Sequence, residues 1–141
     1  VSGREAVALV EEARRRGVAR IRTHCAGYAP EEIAAITALA AYAEFSFFGL
    51  THATQVGLTH ADDEKHKIAA QSVIQDFTPR IRAAGNRAIL SSDAGVYLLP
   101  PPVEALREFV VLIESEGFTE IEIRRMIGEN PARLFRLERQ P

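Results

Sequence analysis

The sequence predicts an α/β protein with a small parallel sheet. Three short stretches, near residues 18–24, 43–48 and 87–91, have the length and the β-branched, aromatic or apolar content of strands. Segments whose apolar residues recur at helical spacing separate these stretches. Alternation of this kind is typical of right-handed βαβ units, and such units place their strands parallel to one another.

The first third of the chain is predicted to form a helix, a strand, a second helix and a second strand. Ser2 and Glu5 have the spacing of a capping box, so the first helix is predicted to begin almost at once. Gly17 is a suitable end for it, and the first strand follows. Pro30 and the acidic residues after it predict the start of the second helix. The aromatic-rich strand at 43–48 completes this part of the chain.

The middle of the chain begins with a stretch in which apolar residues recur with neither helical nor strand spacing. Residues 49–59 are therefore predicted to form a long loop between a strand and a helix. Asp62 or Asp63 then caps a helix that meets Pro79. Two arrangements remain open there, because the helix can kink at the proline or Thr78 can cap a second short helix.

The last part of the chain is predicted to be a strand followed by helices. After the third strand, the proline run at 100–102 forms an extended link and starts a helix. Thr119 and Glu122 form another capping box. Asn130 is predicted to cap the last helix, with Pro131 at its first helical position.

Composition limits the classes of function. The 141 residues suffice for one domain with a core, and the net charge of −2 gives no reason to expect a nucleic-acid or anionic-membrane partner. No apolar stretch approaches the length of a membrane span. The single cysteine excludes an internal disulfide, which favours a reducing compartment and a cytoplasmic location. A small molecule is the expected substrate.

Asp93 is the first candidate catalytic residue. It follows the apolar strand at 87–91 and precedes a turn of small residues, so it is expected at the carboxyl end of a parallel strand, where α/β folds place their active sites. It could act as the general base that takes a proton from a metal-bound water. Aspartate is also common in turns and caps, and its spacing alone favours neither reading.

His24 and Glu44 are the next candidates. His24 ends the first strand, where it could bind a divalent metal or a substrate, or could simply be a hydrogen-bonded histidine. Strand alternation places Glu44 and Ser46 on one face and Phe45 on the other. A buried carboxylate is costly without a role, so we expect Glu44 near the site, although a solvated edge strand would also explain it.

The other histidines and the cysteine give weaker signals. His52, His60 and His66 match no compact metal motif, and polar loop residues are the simpler interpretation. His52 follows a strand end and is the candidate for contact with a substrate. Cys25 could be a soft ligand or a nucleophile beside His24, but a small buried residue is the simpler reading.

Two segments carry a family resemblance. The segment Ser91-Ser92-Asp93-Ala94-Gly95 and the closing Asn130-Pro131-Ala132-Arg133-Leu134 resemble the last strand and closing helices of the amidohydrolase superfamily, the metal-dependent TIM-barrel hydrolases. They are most similar to a poorly characterised branch of it. In order along the chain, Thr23-His24 is similar to the histidine ending strand six, Ala43-Glu44 falls at strand seven, and Asp93 matches the aspartate ending strand eight.

The resemblance implies a fold, a metal and an activity. The chain would be the C-terminal portion of a (β/α)8 TIM barrel that hydrolyses its substrate at a carbon or phosphorus centre. A divalent metal, most simply zinc, would bind His24 and Asp93. Asp93 and Glu44 would be catalytic, and His52 would contact the substrate.

The chain also departs from the family. The His-x-His motif of strand one, the lysine of strand four and the histidine of strand five are absent from it. Two ligands make an incomplete metal site. The chain begins at Val1 without a strand before its first helix, so we expect a missing N-terminal half. The alternative is a non-catalytic half-barrel that self-associates as a homo-oligomer to cover its open sheet.

Overall fold

The computed structural model of the chain describes residues 1–46, 70–94 and 101–137, with side chains from residue 74 onward in the second range. The elements in chain order are α1 (Gly3–Arg15), β1 (Arg22–His24), α2 (Pro30–Ala38), β2 (Tyr42–Ser46), α3 (Ala70–Ala84), β3 (Ala88–Ser91), α4 (Pro102–Ser115), α5 (Glu120–Arg124) and α6 (Asn130–Phe135). A 3₁₀ turn at Gly85–Arg87 leads into β3, and a π-helical turn at Arg125–Glu129 joins α5 to α6.

The strands form the predicted parallel sheet. Across the described residues their order is β1-β2-β3, with β2 paired in parallel to both neighbours. His24 lies opposite Glu44, and Ser46 lies opposite Ser91. The α/β class and the parallel pairing are therefore confirmed.

The two faces of the sheet have different surroundings. On one face, Phe45 and Leu90 belong to a continuous buried core with residues of α1, α2, α3 and α4. Phe45 meets Phe77 of α3 edge to face, with ring centroids 6.2 Å apart. The opposite face carries Tyr42 and Ile89 together with a larger set of polar residues: Arg22, His24, Glu44, Ser46 and Ser91. The helices thus cover one face, and the polar residues share the other.

Local capping signals place the helix starts correctly. Ser2 and Glu5 form a full capping box at α1, and Thr119 and Glu122 form another at α5. Proline stands at the first turn of α2, as predicted. These starts depend on contacts three residues apart, which is why the sequence alone identifies them.

The first strand is shorter than the predicted 18–24. The guanidinium of Arg14 donates to the carbonyls of Val18 and Ala19 at 3.0 and 2.8 Å, and its Nε donates to the Leu39 carbonyl at 2.7 Å. These bonds hold the Val18 and Ala19 carbonyls against α1. The Ile21 carbonyl accepts from the backbone N–H of Tyr42 at 2.9 Å, and the strand itself begins at Arg22.

The other strand boundaries shift by a residue. The second strand begins at Tyr42, and the end predicted for it at 47–48 lies outside the described residues. The third begins at Ala88, because the preceding residues form the 3₁₀ turn. The loop predicted at 49–59 and the cap at Asp62 or Asp63 also lie outside the described residues.

Helix α3 runs through Pro79 without a break. The hydroxyl of Thr78 donates to the Ile74 carbonyl at 2.9 Å, a bond within the same helix. Thr78 therefore does not begin a second helix, and the capped alternative is wrong.

Asn130 does not cap α6, contrary to the prediction. The residue before it has helical dihedral angles, since the π-helical turn continues directly into α6. The Asn130 side chain is 1% exposed, and its Nδ2 donates to the carbonyls of Asn86 and Ala88 at 2.9 and 2.8 Å. It fastens the last helix to the start of β3.

An open apolar groove runs along α1 and β1. Its volume is about 390 Å³, and Leu9, Val10, Ile21 and Tyr28 are among its lining residues, with His24 at its border. Leu9 is 60% exposed. In the part of the chain that the structure describes, β1 is also an edge of the sheet. None of the described helices is both long and apolar enough to cross a membrane.

Candidate functional site

Polar side chains gather near the carboxyl ends of the three strands. His24 ends β1, Ser91 ends β3, and Glu44 lies between them in β2. Asp93 follows β3 by two residues. The sheet thus places His24 in contact with Glu44, and Asp93 lies near enough for its charge to act on His24.

Glu44 is the centre of this group. Its side chain is 5% exposed. Oε2 accepts a hydrogen bond from Arg22 Nη1 at 2.7 Å and lies 3.1 Å from His24 Nδ1, while Oε1 accepts one from the hydroxyl of Ser91. Because these partners belong to β1 and β3, one carboxylate links all three strands.

Two opposing effects act on the charge of Glu44. Burial alone raises the pKa of its carboxyl group, but the hydrogen bonds from His24 and Ser91 and the charge of Arg22 outweigh burial. The pKa therefore lies below the usual 4.5, and the group is ionised at neutral pH.

His24 responds in the opposite direction. Its bond to Glu44 raises the pKa of the imidazole above the usual 6.5, against the effect of partial burial. The negative charge of Asp93 adds to the rise, and Arg22 opposes it. The ring is half-exposed, so one side contacts Glu44 and the other is accessible.

Asp93 lies just beyond the end of β3. Its φ is +46°, in the left-handed region that aspartate tolerates better than most residues, and the residue is exposed. The backbone N–H of Ala94 donates to Ser92 Oγ at 3.5 Å. The Asp93 carboxylate is near enough to His24 for its charge to raise the pKa of the imidazole. Its role as a general base stays a prediction.

The remaining sequence candidates have different outcomes. His52, His60 and His66 lie outside the described residues, so the substrate contact assigned to His52 stays a prediction. Cys25 is fully buried, and burial raises the pKa of its thiol to about 12. A neutral, enclosed thiol is a poor nucleophile and a poor metal ligand.

The residues do not form a complete metal site on their own. Within 1–46, 74–94 and 101–137, no group of three or more His, Cys, Asp or Glu side chains could hold a metal ion. His24 and Asp93 offer one nitrogen and one carboxylate, whereas Glu44 is already paired with Arg22. These two groups alone could supply only part of a zinc site.

The arrangement also differs from a nucleophilic triad. In a triad the imidazole lies between the nucleophile and the carboxylate. Here the carboxylate of Glu44 lies between Ser91 and His24. The Ser91 hydroxyl therefore donates a hydrogen bond to Glu44 and has no contact with His24 that would activate it as a nucleophile.

Sequence reasoning missed Arg22 and Ser91. Both are on the face that carries Glu44. Strand alternation relates Arg22 to His24 in the sequence, whereas the position of Ser91 depends on the register between β2 and β3, which only the structure shows. Arg22 is two residues before His24, and Ser91 lies opposite Ser46, which itself follows Glu44 by two.

Comparison with protein-family models, curated proteins and solved structures found no match to this chain.

Proposed function

We propose that this chain is the C-terminal portion of an amidohydrolase-type (β/α)8 barrel that acts as a metal-dependent hydrolase once the barrel is complete. The observation that carries the proposal is the meeting of His24, Glu44 and Asp93 near the carboxyl ends of successive parallel strands. Active sites of (β/α)8 barrels occupy this end of the strands.

The topology supports a barrel segment. Right-handed crossovers that advance in one direction leave every helix on the same side of the sheet, whereas a doubly wound sheet reverses direction and covers both faces. Here the strand order follows the sequence, and the described helices pack on one face. The polar face would then be the interior of the barrel.

The groove beside β1 is where a further strand could supply the remaining metal ligands. It borders His24 and lies at an edge of the described sheet. A strand added along this edge would place its own carboxyl end next to His24. Further metal ligands from such a strand would complete the pair formed by His24 and Asp93.

The roles of the residues follow from their positions. A bound divalent metal, most simply zinc, supplies Lewis acidity and lowers the pKa of a water ligand. Asp93 accepts the proton from the attacking water and passes it to the leaving group. His24 binds the metal or the substrate, and Glu44 supports His24. The substrate is a small molecule, which His52 contacts, and the enzyme is cytoplasmic.

An Asp93→Asn substitution tests the proposal. The intact mass and metal content of the native protein come first, followed by turnover on a panel of small amides, esters and phosphoesters. Removing the base is expected to lower kcat by roughly 10²- to 10⁴-fold, because that is the usual contribution of general-base catalysis. The exposed Glu120, in α5, provides a control as Glu120→Gln. Full activity of a folded Asp93→Asn protein would refute the assignment.

The alternative is a non-catalytic half-barrel that pairs with a second copy of itself. The exposed apolar residues of the groove beside the edge strand β1 favour it, since open edges and apolar surfaces promote association. A zinc titration separates the two hypotheses. The hydrolase binds zinc when its barrel is complete, and the half-barrel binds none.

A further inference from the structure

We propose that Glu44 is a positioning residue that keeps the proton of neutral His24 on Nδ1 and leaves the lone pair on Nε2. Nε2 is then the atom that binds a metal or a substrate. The use of that lone pair rests on the proposed function, but the position of the proton does not.

The partners of Glu44 show that its carboxylate acts only as an acceptor. Arg22 has no acceptor atom, so its Nη1 donates to Oε2 at 2.7 Å. The hydroxyl of Ser91 donates to Oε1. His24 Nδ1 lies 3.1 Å from Oε2, and two acceptors would repel each other at that distance. Nδ1 must therefore carry the hydrogen.

The geometry also fixes the direction of the ring. Both oxygens of Glu44 are bound, and its side chain is buried, so the carboxylate cannot rotate away from His24. His24 and Glu44 are register partners across β1 and β2. A neutral imidazole has a single N–H, so a hydrogen on Nδ1 leaves Nε2 unprotonated. Carboxylates orient metal-binding histidines in this way.

A purely structural bond between the strands is the competing explanation. It predicts that substitutions at Glu44 change stability, with no consequence for the tautomer. The positioning role predicts that the tautomer depends on an acceptor at this position. The response of the His24 tautomer to substitution at Glu44 therefore distinguishes the two explanations.

Long-range ¹H–¹⁵N correlation spectra of the chain labelled with ¹⁵N-histidine measure the tautomer. The chain has four histidines, so the missing signals in His24→Gln assign those of His24. Spectra are recorded at alkaline pH, where the ring is neutral. We expect a protonated Nδ1 in the wild-type chain and a shift toward protonated Nε2, the form favoured in water, in Glu44→Leu.

Glu44→Gln and Ser91→Ala are the matched controls. In Glu44→Gln, Arg22 requires an oxygen at the Oε2 position, so the amide still offers His24 an acceptor and its NH₂ group faces Ser91. Ser91→Ala removes a bond to the other oxygen only. Both variants should keep the wild-type tautomer, and a protonated Nε2 in either of them would contradict the proposal.

The result in the wild-type chain can overturn the proposal even if Glu44→Leu fails to fold. A wild-type His24 protonated on Nε2 overturns the proposal. Zinc affinity by calorimetry, on the native protein, is the second readout, and Glu44→Leu should weaken it by about 10- to 100-fold. If the tautomer is as expected but the native protein neither binds zinc nor hydrolyses a substrate, the positioning role stands and the proposed hydrolase function fails.

Discussion

A buried carboxylate is stable only when its neighbours compensate for lost hydration. Glu44 obtains this compensation from Arg22, His24 and Ser91, and each contributes a hydrogen-bond donor. The sequence indicated a special role for Glu44 because an acid is unexpected in such a strand. It could not identify the partners, since two of them belong to β1 and one to β3.

Arg22→Leu is expected to destabilise the fold by about 1–3 kcal/mol, because Glu44 then keeps a buried charge with fewer donors. The guanidinium is half-exposed, so the loss is smaller than for a fully buried pair. Urea unfolding measures the change. Arg107→Leu removes an arginine from an exposed pair with Glu104 and should cost less than about 1 kcal/mol. Equal losses in the two variants would contradict the central role of Glu44.

The free energy of unfolding should fall on the acid side because of Glu44 and on the alkaline side because of His24. The folded pKa of Glu44 is below 4.5, so its contribution is present above that value and is lost as pH falls through the folded pKa. The folded pKa of His24 is above 6.5, so its contribution is present below 6.5 and is lost as pH rises through the folded pKa. Both contributions to stability are complete between pH 4.5 and pH 6.5.

Urea midpoints measured across this range check the expectation. His24→Gln should reduce the decline that begins above 6.5, and an unchanged decline would contradict this. Burial also raises the pKa values of Cys25 and Tyr28, so a further decline at higher pH is expected in both proteins. Glu44→Gln should reduce the acid decline without removing it. Glu5 and Glu122 also have lowered pKa values, because each accepts hydrogen bonds in a capping box.

The elements differ in how far the sequence predicts them. The capping boxes and the proline at α2 are local, so residues three positions apart suffice to place these helix starts. The end of β1 was predictable from its composition, but its start was not. That start depends on Arg14 of α1, which binds carbonyls after its own helix and after α2.

The closing helix shows a second limit of sequence reasoning. A π-helical turn holds more residues than an α-helical one, so it changes the direction in which every later side chain points. Asn130 is consequently turned inward to the carbonyls at the start of β3. Asparagine followed by proline has the pattern of a cap, and only the packing of the two elements shows otherwise.

Asn130→Ala should destabilise the fold by about 1–3 kcal/mol, because it removes a buried hydrogen bond to the Ala88 carbonyl and a part-buried one to the Asn86 carbonyl. Thermal or urea unfolding detects the loss. Asn86→Ala is the control, since it removes a side chain that contacts Arg125 at the surface but keeps the backbone carbonyl. It should change stability by less than about 0.5 kcal/mol. A neutral Asn130→Ala would show that these bonds contribute little.

The whole molecule is asymmetric. Its helices bury the apolar face of the sheet, while the opposite face carries charged and polar groups that gather around Glu44. The groove along α1 and β1 leaves Leu9 exposed beside an edge of the described sheet. This asymmetry is what both functional hypotheses must explain, either by additional strands or by a second copy.

Leu9→Glu discriminates between these explanations. If a second copy covers the groove, sedimentation at micromolar concentration should show a dimer or larger species for the wild-type chain and a monomer for Leu9→Glu, because a buried carboxylate opposes association. Glu11→Gln, also on α1, is the control and should leave the assembly unchanged. A strictly monomeric wild-type chain would count against self-association.

The strand order also has a consequence for synthesis on the ribosome. Strands that follow one another in sequence are also neighbours in the sheet, so β1, α2 and β2 can pack before β3 has been made. Contacts between segments that are close in sequence also form faster than distant ones. The carboxylate of Glu44 then meets Arg22 and His24 first and gains Ser91 last. A nascent chain stalled before β3 should therefore protect β1 and β2 from protease less well than the released protein.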